Sequence, residues 1–213
     1  MRLNNYIDHT LLKSSATEAD IETLCTEAVQ FDFYAVCVNS CYVPLAKQKV
    51  NNSKVKLAAV IGFPLGAVAT EVKLAEAVYC VEMGADEIDM VLNLGWFKSG
   101  KHRLVVEEIK KIKSAIGTSV LKVIIETCYL TQQEIIKACE LTLEAGADFV
   151  KTSTGFGTSG ATFKDVETMQ KAIGGKLKIK ASGGIRDKET ALKYIKMGVS
   201  RIGTSSGVSM INS

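Results

Sequence analysis

Eight times along the chain, a short apolar or β-branched run gives way to a longer stretch with helical spacing. The runs are Tyr6–His9, Ala35–Asn39, Lys56–Phe63, Glu87–Asn93, Leu121–Thr127, Asp148–Thr154, Lys178–Gly184 and Arg201–Ser205. Crossovers of this length permit parallel pairing, and eight strand–helix units in series predict an α/β fold of the (β/α)8 TIM-barrel type. A doubly wound open sheet is the structural competitor.

The helical stretches carry their own signals. Thr17–Phe31 places Ile21, Leu24, Cys25 and Ala28 on one face, and Leu104, Val105, Ile109 and Ile112 form the same kind of stripe further on. Thr17 and Thr131 are followed three residues later by Asp20 and Glu134, close to the capping-box pattern. Three helix ends repeat: Glu82-Met83-Gly84, Glu144-Ala145-Gly146 and Lys196-Met197-Gly198, each leading into a strand. The glycines suit the left-handed residue that closes a helix. Five residues beyond each stand Asp89, Lys151 and Gly203, an equal offset that predicts similar depth in three parallel strands.

With 213 residues, 47% of them hydrophobic, and only 2 prolines, the chain reads as a single domain over 1–213 with no linker. A net charge of +3 and lysines interspersed with acids, as in Lys101–Lys113, predict solvated helix faces and no nucleic-acid partner. No apolar run approaches the roughly 20 residues of a membrane span, and polar Asp8 and His9 come too early for a signal peptide, so a cytoplasmic location is expected. The 6 cysteines contain no C-x-x-C pair and read as free thiols, and two widely separated histidines disfavour a zinc site. No metal or cofactor is expected.

Lys151 stands in the apolar stretch Asp148-Phe149-Val150-Lys151-Thr152-Ser153-Thr154, and Lys180 holds a comparable position near the end of the next run. For a lone lysine, the ordinary explanation is a side chain reaching for solvent at a strand end. Two inward lysines on strands about 4.8 Å apart would repel each other and lose hydration, so at least one should titrate below about 10.4. A lysine neutral near physiological pH can form an imine with a carbonyl. Asp89, flanked by apolar residues in Glu87-Ile88-Asp89-Met90-Val91, fits a salt bridge to one lysine or a proton-transfer partner, and the two are compatible.

Ser182-Gly183-Gly184 closes the seventh run, and Gly203-Thr204-Ser205-Ser206-Gly207 closes the eighth. Loops after strands seven and eight of a barrel commonly hold phosphate on backbone N–H groups, where glycine allows close approach.

These segments resemble the core motifs of the deoxyribose-phosphate aldolases. The likeness rests on Lys151-Thr152-Ser153-Thr154-Gly155-Phe156, Lys180-Ala181-Ser182-Gly183-Gly184-Ile185-Arg186, Glu87-Ile88-Asp89 and Gly203-Thr204-Ser205-Ser206. It extends to Ile7-Asp8-His9-Thr10-Leu11, Val36-Cys37-Val38, Ile61–Gly66 and Leu121–Thr127, in order along nearly the whole chain. The resemblance implies a cofactor-free class I aldolase with Lys151 as the Schiff-base lysine and Asp89 and Lys180 as proton carriers. It implies the cleavage of 2-deoxy-D-ribose 5-phosphate to acetaldehyde and D-glyceraldehyde 3-phosphate, in deoxyribose breakdown. Asp8, Thr10, Cys37, Lys122 and Thr154 would line the pocket, with Lys122 pairing with Asp89 or Asp8. Gly155, Gly183, Gly184, Ser205 and Ser206 would hold the phosphate. A homodimer is consistent with the family.

Two departures stand out. Phe156 occupies a position where some members carry lysine, and the sequence ends at Ile211-Asn212-Ser213 where some members have a tail ending in tyrosine. Slower turnover, or another group or water in their place, is the expectation. The competing readings are another phosphate-binding barrel enzyme, such as a different Schiff-base aldolase or a sugar-phosphate isomerase, and a non-catalytic sugar-phosphate sensor. The sensor would need neither lysine.

Overall fold

In the computed structural model, which describes residues 2–213, the eight runs become eight parallel strands. They are β1 (Ile7–Leu11), β2 (Ala35–Asn39), β3 (Lys56–Ile61), β4 (Glu87–Val91), β5 (Val120–Ile124), β6 (Phe149–Lys151), β7 (Lys178–Ser182) and β8 (Arg201–Thr204). Each pairs with its successor and β8 returns to β1, so the sheet closes into a barrel. The open doubly wound sheet is excluded. Met1, the first residue of the expected domain, lies outside the described residues.

The paired strands end earlier than six of the sequence runs, the eighth by a single residue at Thr204. Gly62 and Glu126 turn to positive φ just past β3 and β5, and Gly183 does so past β7. β6 leaves the ladder after Lys151, and β4 after Val91. The apolar residues continue while the backbone departs, so composition overshoots at the C-terminal rim. At the other end, Tyr6 belongs to a 3-10 turn, and β1 runs on through Thr10 and Leu11, which pair with Cys37 and Val38.

Around the barrel lie α1 (Glu18–Gln30), α2 (Val43–Val50), α3 (Thr70–Glu82), α4 (Leu94–Lys98), α5 (His102–Ala115), α6 (Gln132–Glu144), α7 (Phe163–Ile173), α8 (Lys188–Lys196) and α9 (Gly207–Asn212). Both capping boxes form, at Thr17/Asp20 and Thr131/Glu134. Helix α1 buries the four residues expected of it. Gly84, Gly146 and Gly198 all adopt positive φ, as the repeated helix end requires.

Helix α5 departs from expectation in two ways. Leu104 is largely exposed, because the buried stripe is centred on Val105, Ile109 and Ile112 and leaves it on the flank. Glu108, inside the stretch read as a solvated face, is buried. Its partner is Lys73 of α3, fully enclosed, with Nζ 2.8 Å from Glu108 Oε2 and 2.9 Å from the Val91 carbonyl. Thr70 donates to the other carboxylate oxygen at 3.1 Å. The ion pair thus ties α3 and α5 to the end of β4. Glu108→Leu would strand a buried ammonium and should cost about 3–5 kcal/mol, whereas Lys73→Met with Glu108→Leu should recover most of it. Urea unfolding of the single and double variants checks this, and a double variant no more stable than the single would refute the pairing argument.

Among the described residues no helix is long and apolar enough to cross a membrane.

Candidate active site

Strand alternation sends every second side chain into the barrel, and in this chain that interior is charged. Asp8, Glu87, Asp89, Lys122, Lys151, Lys180 and Arg201 are all buried. Register sets Asp89 beside Lys122, Lys151 beside Lys180, and Lys180 beside Arg201.

Six of the seven form a closed ring of alternating charge. Asp89 Oδ2 lies 2.8 Å from Lys180 Nζ, which lies 2.5 Å from Asp8 Oδ2. Asp8 Oδ1 is 2.7 Å from Arg201, whose second guanidinium nitrogen is 2.7 Å from Glu87 Oε1. Glu87 Oε2 is 2.6 Å from Lys122 Nζ, which returns to Asp89 Oδ1 at 2.7 Å. Three carboxylates therefore meet three cations, and the ring is neutral.

Lys151 is the surplus base. Its Nζ donates to Asp89 Oδ2 at 2.7 Å, the oxygen that Lys180 also occupies. Were Lys151 protonated, the enclosed cluster would hold four cations against three anions.

The local effects agree with that count. Burial pushes the Lys151 ammonium down; Asp89 resists and the charge on Lys180 adds to the fall, leaving it below the ordinary lysine value. Burial also opposes the charge on Lys180, but Asp8 and Asp89 outweigh it and hold this lysine above its ordinary value. The same balance, with Asp89 and Glu87 as partners, raises Lys122. Asp89 is disfavoured by burial yet held well below the carboxylate range by Lys122, Lys151 and Lys180. The surroundings thus disfavour the charge on Lys151 and favour it on Lys180 and Lys122.

Above this cluster, at the C-terminal ends of the strands, opens a cavity of about 230 Å³ with Lys151 in its lining. Thr10, Thr154, Gly155 and Ser182 line it, as do Gly183, Gly184, Gly203 and Ser205. The chain leaving β6 folds against the β7 rim so closely that a Cβ on Gly160 would stand 2.1 Å from the Gly183 carbonyl oxygen. Gly203 leaves room for its neighbours, since a Cβ there would lie 3.1 Å from Lys180 Cε and 2.5 Å from Ser182 Oγ.

The family model for DeoC/LacD family aldolases matches residues 3–211. The chain belongs to the DeoC/LacD aldolases. It is 56% identical over 214 residues to a deoxyribose-phosphate aldolase of Carboxydothermus hydrogenoformans, covering 99% of this chain and 94% of that one. Among solved structures it is similar to the aldolase QR15, with a TM-score of 0.95, 48% identity, and 99% and 94% of the two chains covered. It is also similar to the tetrameric deoxyribose phosphate aldolase of Aeropyrum pernix, with a TM-score of 0.90, 36% identity, and 99% and 90% covered.

Within this DeoC/LacD aldolase, some expected pocket residues sit elsewhere. Asp8, Cys37 and Lys122 are fully buried and are absent from the cavity lining. Asp8 and Lys122 are ring members, and Lys122 pairs with Asp89 and Glu87, not with Asp8. Burial raises the Cys37 thiol, with Lys180 opposing, so it is no ready nucleophile. Ser206 does not line the cavity, and its N–H is spent on Thr204 Oγ1 at 2.9 Å. Phe156 lines the cavity rim and packs edge-on against Phe63, ring centroids 5.3 Å apart.

Other residues were not singled out from sequence. Lys13 and Arg186, both exposed, bring positive charge to the cavity lining. Glu87 and Arg201 complete the ring. Glu126 is buried in a left-handed conformation, φ 53° and ψ 68°, which costs a non-glycine residue of order 1–3 kcal/mol. Among the described residues no group of three or more His, Cys, Asp or Glu is disposed to hold a metal.

Proposed function

We propose that this aldolase reversibly cleaves 2-deoxy-D-ribose 5-phosphate into acetaldehyde and D-glyceraldehyde 3-phosphate through an imine on Lys151. The observation that carries the reading is the surplus base: the seven-residue cluster is neutral only when Lys151 is an amine. That amine borders the cavity where an aldehyde would arrive.

In the direction of synthesis, neutral Lys151 Nζ adds to the acetaldehyde carbonyl carbon, and the resulting carbinolamine loses its hydroxyl as water to give an iminium. Loss of a methyl proton yields the enamine, whose carbon attacks the carbonyl of glyceraldehyde 3-phosphate. Hydrolysis of the new iminium frees the sugar and returns the amine. Asp89 Oδ2, shared by Lys151 and Lys180, is the acceptor closest to the reacting nitrogen, and Lys180 is the adjoining acid. Gly155, Gly183, Gly184 and Ser205, with Ser182, offer the rim of small residues that a phosphate needs, and Lys13 and Arg186 supply charge beside it. Thr10 and Thr154 line the same cavity.

A sugar-phosphate isomerase would need a carboxylate base facing the substrate. No Asp or Glu lines the cavity, whereas the imine-forming amine of Lys151 does, which disfavours that reading.

Incubation with 2-deoxy-D-ribose 5-phosphate should release acetaldehyde and glyceraldehyde 3-phosphate in the presence of a chelator, followed by coupled reduction of acetaldehyde. No acetaldehyde, or release only after a divalent metal is added, would overturn the reading.

The whole chain acts here as one aldolase domain, in the cytoplasm, where its free thiols would stay reduced. We take it to be a homodimer, since Val72 and Tyr79 on α3 and Met83 just past its end are exposed and invite a second copy.

A further inference from the structure

Among the described residues, five acids are buried: Asp8, Glu87, Asp89, Glu108 and Glu126. Four have an ionic partner, the first three in the ring and Glu108 on Lys73. Glu126 has none. Its carboxylate is spent on a single residue: Oε1 accepts the Thr154 N–H at 3.1 Å, and Oε2 accepts the Thr154 hydroxyl.

The backbone is bent to make this possible. Glu126 follows β5, and its left-handed turn sends the side chain across to the stretch beyond β6. That stretch lies flat upon it: a Cβ on Gly157 would stand 3.3 Å from Glu126 Cδ and 2.6 Å from Cys128 Sγ. A strained residue, a buried carboxylate outside any ion pair and a close-packed glycine all converge on the orientation of one hydroxyl.

A threonine hydroxyl has one proton and two lone pairs. At Thr154 the proton goes to Glu126, and one lone pair receives the Phe156 N–H at 3.0 Å. One lone pair remains, on a residue that lines the cavity beside Lys151. Thr154 can therefore meet a substrate only as an acceptor, and its partner must be a group that donates, such as an alcohol.

We propose that Glu126 is a positioning residue that fixes the Thr154 hydroxyl as a hydrogen-bond acceptor, so that the site favours aldehydes bearing a hydroxyl next to the reacting carbonyl. The inference rests on the aldolase reading above and adds a specificity determinant to it. The bond accepted by a hydroxyl that itself donates to a carboxylate is strengthened along the chain.

The test uses two acceptor aldehydes that differ by one hydroxyl, D-lactaldehyde and propanal, each condensed with acetaldehyde. Wild type should show a higher kcat/KM for D-lactaldehyde. Glu126→Gln keeps size and shape, but its amide donates to Thr154 Oγ1 and turns the threonine proton toward the cavity; the preference should fall about fivefold. Thr154→Val should lose the preference, Thr154→Ser should keep it, and Glu126→Gln added to Thr154→Val should change it no further. A preference unmoved in Glu126→Gln, or retained in Thr154→Val, would overturn the inference while leaving the aldolase intact. If Glu126→Gln does not fold, the two Thr154 variants still decide the matter. A wild-type protein that condenses neither aldehyde fails the aldolase reading itself, and the inference with it.

Discussion

Lys151→Ala should form no borohydride-trapped adduct with acetaldehyde and should lose at least about a thousandfold in turnover, because no other amine in the barrel can replace it. In the unaltered protein, reduction should leave an ethyl group on Lys151, located by peptide mass mapping. Three lysines lie in the barrel interior, and proximity alone does not choose between them. Charge does. Lys122 and Lys180 each bridge two carboxylates of the ring, so losing a proton from either would leave an unbalanced buried anion. Lys151 touches one carboxylate oxygen that already has another partner. Removing its side chain leaves all six ring contacts standing, so the variant should fold, and circular dichroism matching that of the parent would separate lost chemistry from lost structure. An adduct formed equally by Lys151→Ala, or one mapped to Lys180, would end the assignment.

How much of this the sequence carried varies by residue. Strand and helix order was legible because apolar runs and helical spacing are local signals, and the resemblance spans nearly the whole chain. Lys151, Lys180 and Asp89 were legible as charges embedded in apolar strands. Glu87 and Arg201 had a usable signal that went unread: Glu87 lies two residues before Asp89, and Arg201 two before Gly203, so alternation turns each toward the same interior. Their pairing was not legible, since the contact from Arg201 to Glu87 and to Asp8 spans most of the chain and exists only once β8 closes on β1. The sequence could place two lysines side by side, and mutual repulsion was a sound reason for one to lose its proton. Which one loses it depends on Asp8, reached across the closing seam of the barrel. Asp8, Cys37 and Lys122 were assigned to the pocket because they belong to its motifs, but motif membership does not separate a lining residue from one a layer below. Glu126 was hidden for a different reason. Nothing in Ile124-Ile125-Glu126-Thr127 announces a left-handed residue, because the fold imposes that conformation against local preference.

Lys180→Leu should lower turnover at neutral pH by a factor of roughly 10²–10⁴ and move the acid limb of the pH–rate profile to higher pH. The direction follows from the charge count. With Lys180 present, three carboxylates face Lys122, Lys180 and Arg201, and a proton on Lys151 is in excess. With leucine there, three carboxylates face only Lys122 and Arg201, so the cluster is balanced when Lys151 carries the proton. Two contacts push the same way. The like charge that helped depress Lys151 is gone, and Asp89 Oδ2, no longer shared, attends Lys151 alone. A nucleophilic amine works when deprotonated, so activity rises with pH through its titration, and a raised value shifts that rise upward. Part of the rate should return in alkaline buffer as the amine is freed, while the part due to the lost proton carrier should not. That partition separates the two roles of Lys180: an acid limb that stays in place would confine it to proton transfer, and a limb that moves to lower pH would contradict the charge balance of the barrel altogether.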